Sequence, residues 1–107
     1  MVDPAIREVI GKYVQVLRTK GIRVDRVILF GSRASGRAHA DSDVDLAVIS
    51  PDFGRDRYGE GKMLLQAAWR IDPRLEPVPI SSESYEKDTW LPLIHEVRER
   101  GIEIEAA

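Results

Sequence analysis

Two aspartates one residue apart, Asp43 and Asp45, are the side chains best placed to do chemistry in this sequence. They open the apolar, β-branched run Val44 to Ile49, which reads as a strand. On a strand, residues two apart point to one face. Two carboxylates held together repel unless a cation sits between them. Hard oxygen ligands of this kind suit magnesium, with manganese as the second choice, and substrate phosphates complete the shell. Ten residues separate Asp43 from Gly31-Ser32, which ends the run Val27-Ile28-Leu29-Phe30 abruptly. Glycine allows a sharp turn and lets a phosphate approach the main chain. Ser32 adds a hydroxyl and a backbone N–H at the start of a helical turn, where the dipole favours an anion. Together, anion turn and acid pair suit phosphoryl or nucleotidyl transfer. In that chemistry two ions about 3.5–4 Å apart clamp the attacking and leaving oxygens of an in-line displacement.

Such centres need a third carboxylate, a ligand for the second metal ion. Glu76 lies inside the predicted strand Leu75 to Ile80, from which it could reach across to Asp45. The competing candidate, Asp72, precedes Pro73 and reads better as a turn residue. Arg33 and Arg37 are candidates for phosphate oxygens, which arginine pairs well, and Ser42, directly before the acid pair, is a further candidate for the nucleotide. His39 reads as a solvated loop residue and His95 as a surface or boundary residue. Trp69 and Trp90 are expected to anchor the core, while Tyr58 could stack on a base or simply pack.

The elements that must position these residues are legible in outline. Asp3-Pro4 caps and starts a helix whose Ile6, Val9, Ile10, Tyr13, Val14 and Leu17 recur at helical spacing, and Gly21 stops it. Val24 to Phe30 predicts a central strand and Ser32 to Arg37 a short helix, with Ala38 to Ser42 a polar loop. Ser50 to Gly61, with its glycines and proline among charges, predicts an irregular, mobile excursion before a helix over Lys62 to Ile71. Pro77 and Pro79 demote the third strand to an edge, because a central strand would lose two ladder donors. A last helix capped at Asp88 or Thr89 carries Trp90, Leu91, Ile94 and Val97 on one face, and Ile102 to Ile104 adds a short strand. The expected fold class is α/β (α+β): one domain over residues 1–107, a small mixed sheet backed by helices.

Bulk properties narrow the choice of function. Sixteen Lys and Arg against eighteen Asp and Glu leave a net charge of −2, without the basic excess that direct nucleic-acid binding needs. The absence of cysteine excludes disulfides and thiolate zinc sites. No apolar run approaches the ~20 residues of a membrane span, and no signal-peptide pattern opens the chain, so no membrane role and a cytoplasmic location are expected.

Gly31-Ser32, ten intervening residues, then Asp43-Val44-Asp45 and Leu46-Ala47-Val48 resemble the signature of the polymerase-β-type nucleotidyltransferase superfamily. The short chain resembles its minimal nucleotidyltransferase group, the antitoxin halves of two-gene modules. The resemblance, from about Val24 to Ile80, implies a polymerase-β-like fold. It implies a Mg²⁺-dependent protein adenylyltransferase that moves AMP from ATP to a tyrosine of a HEPN-class toxin (higher eukaryotes and prokaryotes nucleotide-binding), its hetero-oligomeric partner. It assigns Gly31 and Ser32 to the triphosphate, Asp43 and Asp45 to the ions, and Glu76 to activating the attacking hydroxyl. Many relatives carry a second arginine where this chain has Ser35, with Arg37 the candidate replacement. Two other readings are an inhibitory subunit that neutralises its partner by binding alone, and a small-molecule nucleotidyltransferase. The latter would need a second domain or subunit to hold its acceptor.

Overall fold

A computed structural model describes residues 2–105. The order is α1 (Pro4–Thr19), β1 (Arg26–Phe30), α2 (Ser32–Ser35), β2 (Val44–Ser50), α3 (Arg57–Trp69), β3 (Leu75–Ser81), α4 (Ser82–Lys87), α5 (Pro92–Arg100) and β4 (Ile102–Ile104). The sheet runs β3-β2-β1-β4. β1 is antiparallel to both β2 and β4, whereas β2 and β3 are parallel. It is therefore a mixed sheet, as its strand pattern predicted.

α1 starts where the capping chemistry demands. The Asp3 carboxylate accepts from the Ala5 N–H at 2.9 Å, and Pro4 fills a position whose N–H would have no partner. Its face of Ile6, Ile10, Tyr13, Val14 and Leu17 packs with Leu64, Ala67 and Ala68 of α3 against Val27, Leu29, Leu46 and Val48 of the sheet. The opposite sheet face, with Ile28, Phe30, Ala47 and Ile49, is covered by Tyr85 of α4 and by Ile94 and Val97 of α5. Coverage on both faces explains why β1 and β2 read as nearly continuous apolar runs. Burial of each such side chain contributes roughly 1.5–3 kcal/mol, so the strand that carries Asp45 and begins just after Asp43 is firmly held.

β3 is the edge strand that its prolines required. Pro77 and Pro79 lie two apart, so their missing N–H groups fall on one side of the strand. Its pairing with β2 is continuous from Val44–Leu75 to Ser50–Ser81. The prolines therefore blunt the outer edge, where an added strand would otherwise dock.

Four expectations are corrected. The helix expected from Lys62 begins at Arg57, so the excursion shrinks to a loop of residues 51–56. Glycines 59 and 61 mimic breakers, but the Asp56 side chain caps the helix on the Gly59 N–H, and the Glu60 carboxylate accepts from Gly54, Arg55 and Asp56. The loop is thus tied down rather than mobile. Ser82–Lys87 forms a helix (α4) that the sequence did not suggest, capped by the Ser81 hydroxyl accepting from Ser84 at 3.0 Å. α5 starts at Pro92, after the expected caps Asp88 and Thr89. Trp69 and Trp90 are not core anchors: they are 70% and 75% exposed. Helical spacing alone does not say which side of a helix faces the sheet. Among the described residues no helix is long and apolar enough to cross a membrane.

Candidate active site

Strand pairing decides how the sequence-predicted residues meet. In the β1–β2 register Phe30 lies opposite Asp45, so the chain leaves β1 through Gly31 directly beside that carboxylate. Gly31 has φ 73° and ψ −149°, a conformation essentially reserved for glycine. A Cβ at this position would collide with the Asp45 carboxylate oxygen. The backbone angles therefore call for glycine, and a methyl there would displace the carboxylate end of Asp45. Ser32 then begins α2, and Gly36, with φ 79°, ends it. The β2–β3 register sets Glu76 opposite Asp45, on the same sheet face and one strand spacing of about 4.8 Å away.

The loop leading to Asp43 is fastened by two arginines. Arg33 donates from Nη2 to the Ser42 carbonyl at 2.9 Å, and to those of His39 and Ala40 at 3.3 Å. Arg74 donates to the Ala40 carbonyl at 3.1 Å while holding Asp72 at 2.7 Å, and the Arg74 carbonyl receives the Val44 N–H at 2.7 Å. The Ser42 hydroxyl closes the turn by accepting from the His39 N–H at 2.9 Å. Arg33 is thus a loop fastener in this state, and Asp72 is the counter-ion of Arg74, whose hydrogen bond holds it below the usual carboxylate range. Arg37 is exposed and donates to the Ser35 hydroxyl at 3.1 Å. Arg74 was missed in the sequence, because nothing in its neighbourhood points to a loop some thirty residues earlier.

A charge-assisted hydrogen bond is worth roughly 1.5–3 kcal/mol, and 1.4 kcal/mol is a factor of ten in an opening equilibrium. Arg33→Met is therefore expected to speed amide exchange across residues 39–43 about tenfold or more, leaving β1 unchanged. Unaltered exchange in the loop would show that the arginine does not fasten it.

The acids form an uncompensated patch. Asp43 and Glu76 are exposed and Asp45 is partly buried. No ion pair links any of the three to a cation among the described residues. Burial, then the charges of Asp43 and Glu96, push the Asp45 carboxyl above its ordinary range. Glu96, on α5, is a neighbour that local spacing could not reveal. The raised value means that the ionised form burdens the folded, ligand-free chain. That burden is absent below the ordinary aspartate range, where the group is protonated in both states, and grows as pH rises through the raised value. Asp45→Asn is therefore expected to melt above the parent at pH 7, with the gap closing in acid. A gap that does not depend on pH would mean that the charge is not the cause.

Among the described residues no cluster of three or more His, Asp or Glu side chains converges tightly enough to hold an ion. The donor set fits a hard divalent ion as a partial shell, two unpaired carboxylates whose remaining positions a substrate's phosphates would fill. A cavity of about 410 Å³ lined by Ile6, Leu29, Arg33 and His39 lies beside the fastened loop, whereas the acids face open surface.

The family model for the nucleotidyltransferase domain matches residues 10–91. No curated protein matches the chain. Among solved structures, a candidate nucleotidyltransferase from Sulfolobus solfataricus is similar at 13% identity and a TM-score of 0.65, over 91% of this chain and 77% of that one. A mutant of the toxin–antitoxin MntA-HpeT is similar at 23% identity, TM-score 0.58, over 91% and 73%. A toxin–antitoxin with AMP-PNP gives 22% identity and 0.57 over the same shares, 91% and 73%. At these identities the likeness is one of fold.

Proposed function

We propose, from the premise that this chain belongs to the nucleotidyltransferase domain family, that it moves AMP from ATP to a hydroxyl of a partner protein, as the antitoxin of a two-gene module. One observation carries the reading. Gly31 lies against the Asp45 carboxylate, uniting the phosphate turn and the acid pair at one end of the sheet. The toxin–antitoxin descriptions of two fold neighbours, one with AMP-PNP, support the nucleotide and the partner. The open setting of the acids supports an acceptor brought from outside; a tyrosine of a HEPN-type toxin is the proposed one.

In this mechanism the Gly31-Ser32 turn holds the triphosphate, whose close approach the glycine permits. The acceptor oxygen bonds to the α-phosphorus, the bond from that phosphorus to the β-phosphate oxygen breaks, and pyrophosphate leaves. Asp43 and Asp45 would hold Mg²⁺ ions, which when bound offset charge on the attacking and leaving oxygens. Glu76, beside Asp45 on the neighbouring strand, takes the proton of the attacking hydroxyl. Arg33 and Arg74 keep the Asp43 loop in place.

General-base groups contribute typically 10²–10⁴-fold. Glu76→Gln is expected to slow transfer by about that much while ATP affinity stays nearly unchanged, and Asp72→Asn is expected to cost at most about tenfold. The reverse ranking in a radiolabelled transfer assay would remove Glu76 from the centre. The function itself is tested by co-expressing the chain with the product of the neighbouring gene and weighing that product intact. Adducts of one AMP or multiples are expected. An unmodified product held tightly would favour the inhibitory-subunit reading.

A further inference from the structure

Helix α3 is apolar on two opposite sides. Leu64, Ala67 and Ala68 are buried against the sheet and α1. On the outer side Tyr58, Leu65 and Trp69 are 81%, 39% and 70% exposed. With Lys62 they fall at 58, 62, 65 and 69, spacings of four, three and four, the spacing of a and d positions along one side of a helix. At 1.5 Å per residue the seam is about 16 Å long.

Its charges are one-sided. Lys62, Gln66 and Arg70 line the seam's shallow hollow together with Leu65 and Trp69. The acid of this helix, Glu60, accepts N–H groups of the preceding loop. Neither Lys62 nor Arg70 joins an ion pair among the described residues. A cationic, apolar seam on a chain of net charge −2 calls for an anionic partner. A second copy fits badly: a two-fold pairing centred on this face would bring the cations Lys62 and Arg70 of the two copies together.

We propose that the α3 seam docks an amphipathic helix of the acceptor protein, with apolar seam residues against Tyr58, Leu65 and Trp69 and carboxylates opposite Lys62 and Arg70. The identity of that partner rests on the function proposed above; the surface itself does not. α3 also runs toward the end of the sheet that carries the acids. α3 ends at Trp69, and five residues on, Arg74 fastens the loop that carries Asp43. A helix lying along α3 therefore has one end at the acid-bearing end of the sheet, on the face opposite the carboxylates.

The test uses the full chain co-expressed with the neighbouring gene's product, reading complex formation and AMP transfer separately. Leu65→Glu, at an exposed position, is expected to weaken the complex at least a hundredfold. Lys62→Glu is expected to weaken it about tenfold, and Trp90→Ser, an exposed aromatic outside α3, to leave it unchanged. ATP affinity should be the same in all three, which confirms folding. A complex that survives Leu65→Glu overturns the docking surface even if the product is adenylylated. A complex lost with Leu65→Glu but never modified in the parent upholds the surface and sinks the transfer reading. A parent chain that neither holds nor modifies the product overturns both.

Discussion

Replacing Asp45 with asparagine is expected to cut AMP transfer on the order of a thousandfold, and Asp43→Asn to do the same. Asparagine keeps the shape of the side chain and removes the ligand charge. A bound divalent ion contributes several kcal/mol at the transferring phosphate, and ~4 kcal/mol of lost stabilisation corresponds to about a thousandfold in rate. Neither change should unfold the chain, because the burial and neighbouring charge that raise the Asp45 carboxyl make its ionised form a burden. Pyrophosphate release by single-turnover kinetics checks the rate, and thermal melting checks the fold. A variant that transfers within about tenfold of the parent rate would show that the acid pair does not hold the ions.

The second large effect is structural and functional together. Gly31→Ala is expected to destabilise the fold by roughly 2 kcal/mol, since a non-glycine residue in this region of backbone space costs about 1–3 kcal/mol. For a domain of this size that lowers the melting temperature by roughly 10 °C. The methyl also collides with the Asp45 carboxylate, which must swing away from its position. Nucleotide binding is therefore expected to fail even below the lowered melting temperature. Calorimetry at 10 °C separates the effects: a folded variant that still binds ATP as the parent does would mean that the contact between turn and carboxylate is unimportant.

What the sequence disclosed follows a physical division. Local signals were readable: Asp3-Pro4 at the start of α1, the two apolar runs of β1 and β2, and the prolines that mark β3 as an edge. The candidate site was readable because its parts lie close along the chain, Gly31 to Asp45, on two strands that pair with each other. The rest depended on contacts between distant segments. Arg74 reaching Ala40 and Glu96 raising Asp45 leave no local trace. The α3 start was hidden by Gly59 and Gly61, whose cost in helix propensity is offset by the Asp56 cap and the Glu60 hydrogen bonds. Trp69 misled for a further reason: α3 has two apolar sides, so periodicity alone cannot say which one faces the core.

ATP titrated calorimetrically into the chain with and without Mg²⁺, and again into Asp45→Asn, bears most directly on the proposed metal-dependent nucleotide site. The expected result is tight binding by the parent with Mg²⁺, at least tenfold weaker binding without it, and an asparagine variant indifferent to the metal. Equal affinity in all three titrations would separate nucleotide from acid pair and end the assignment of Asp43 and Asp45 as its metal ligands.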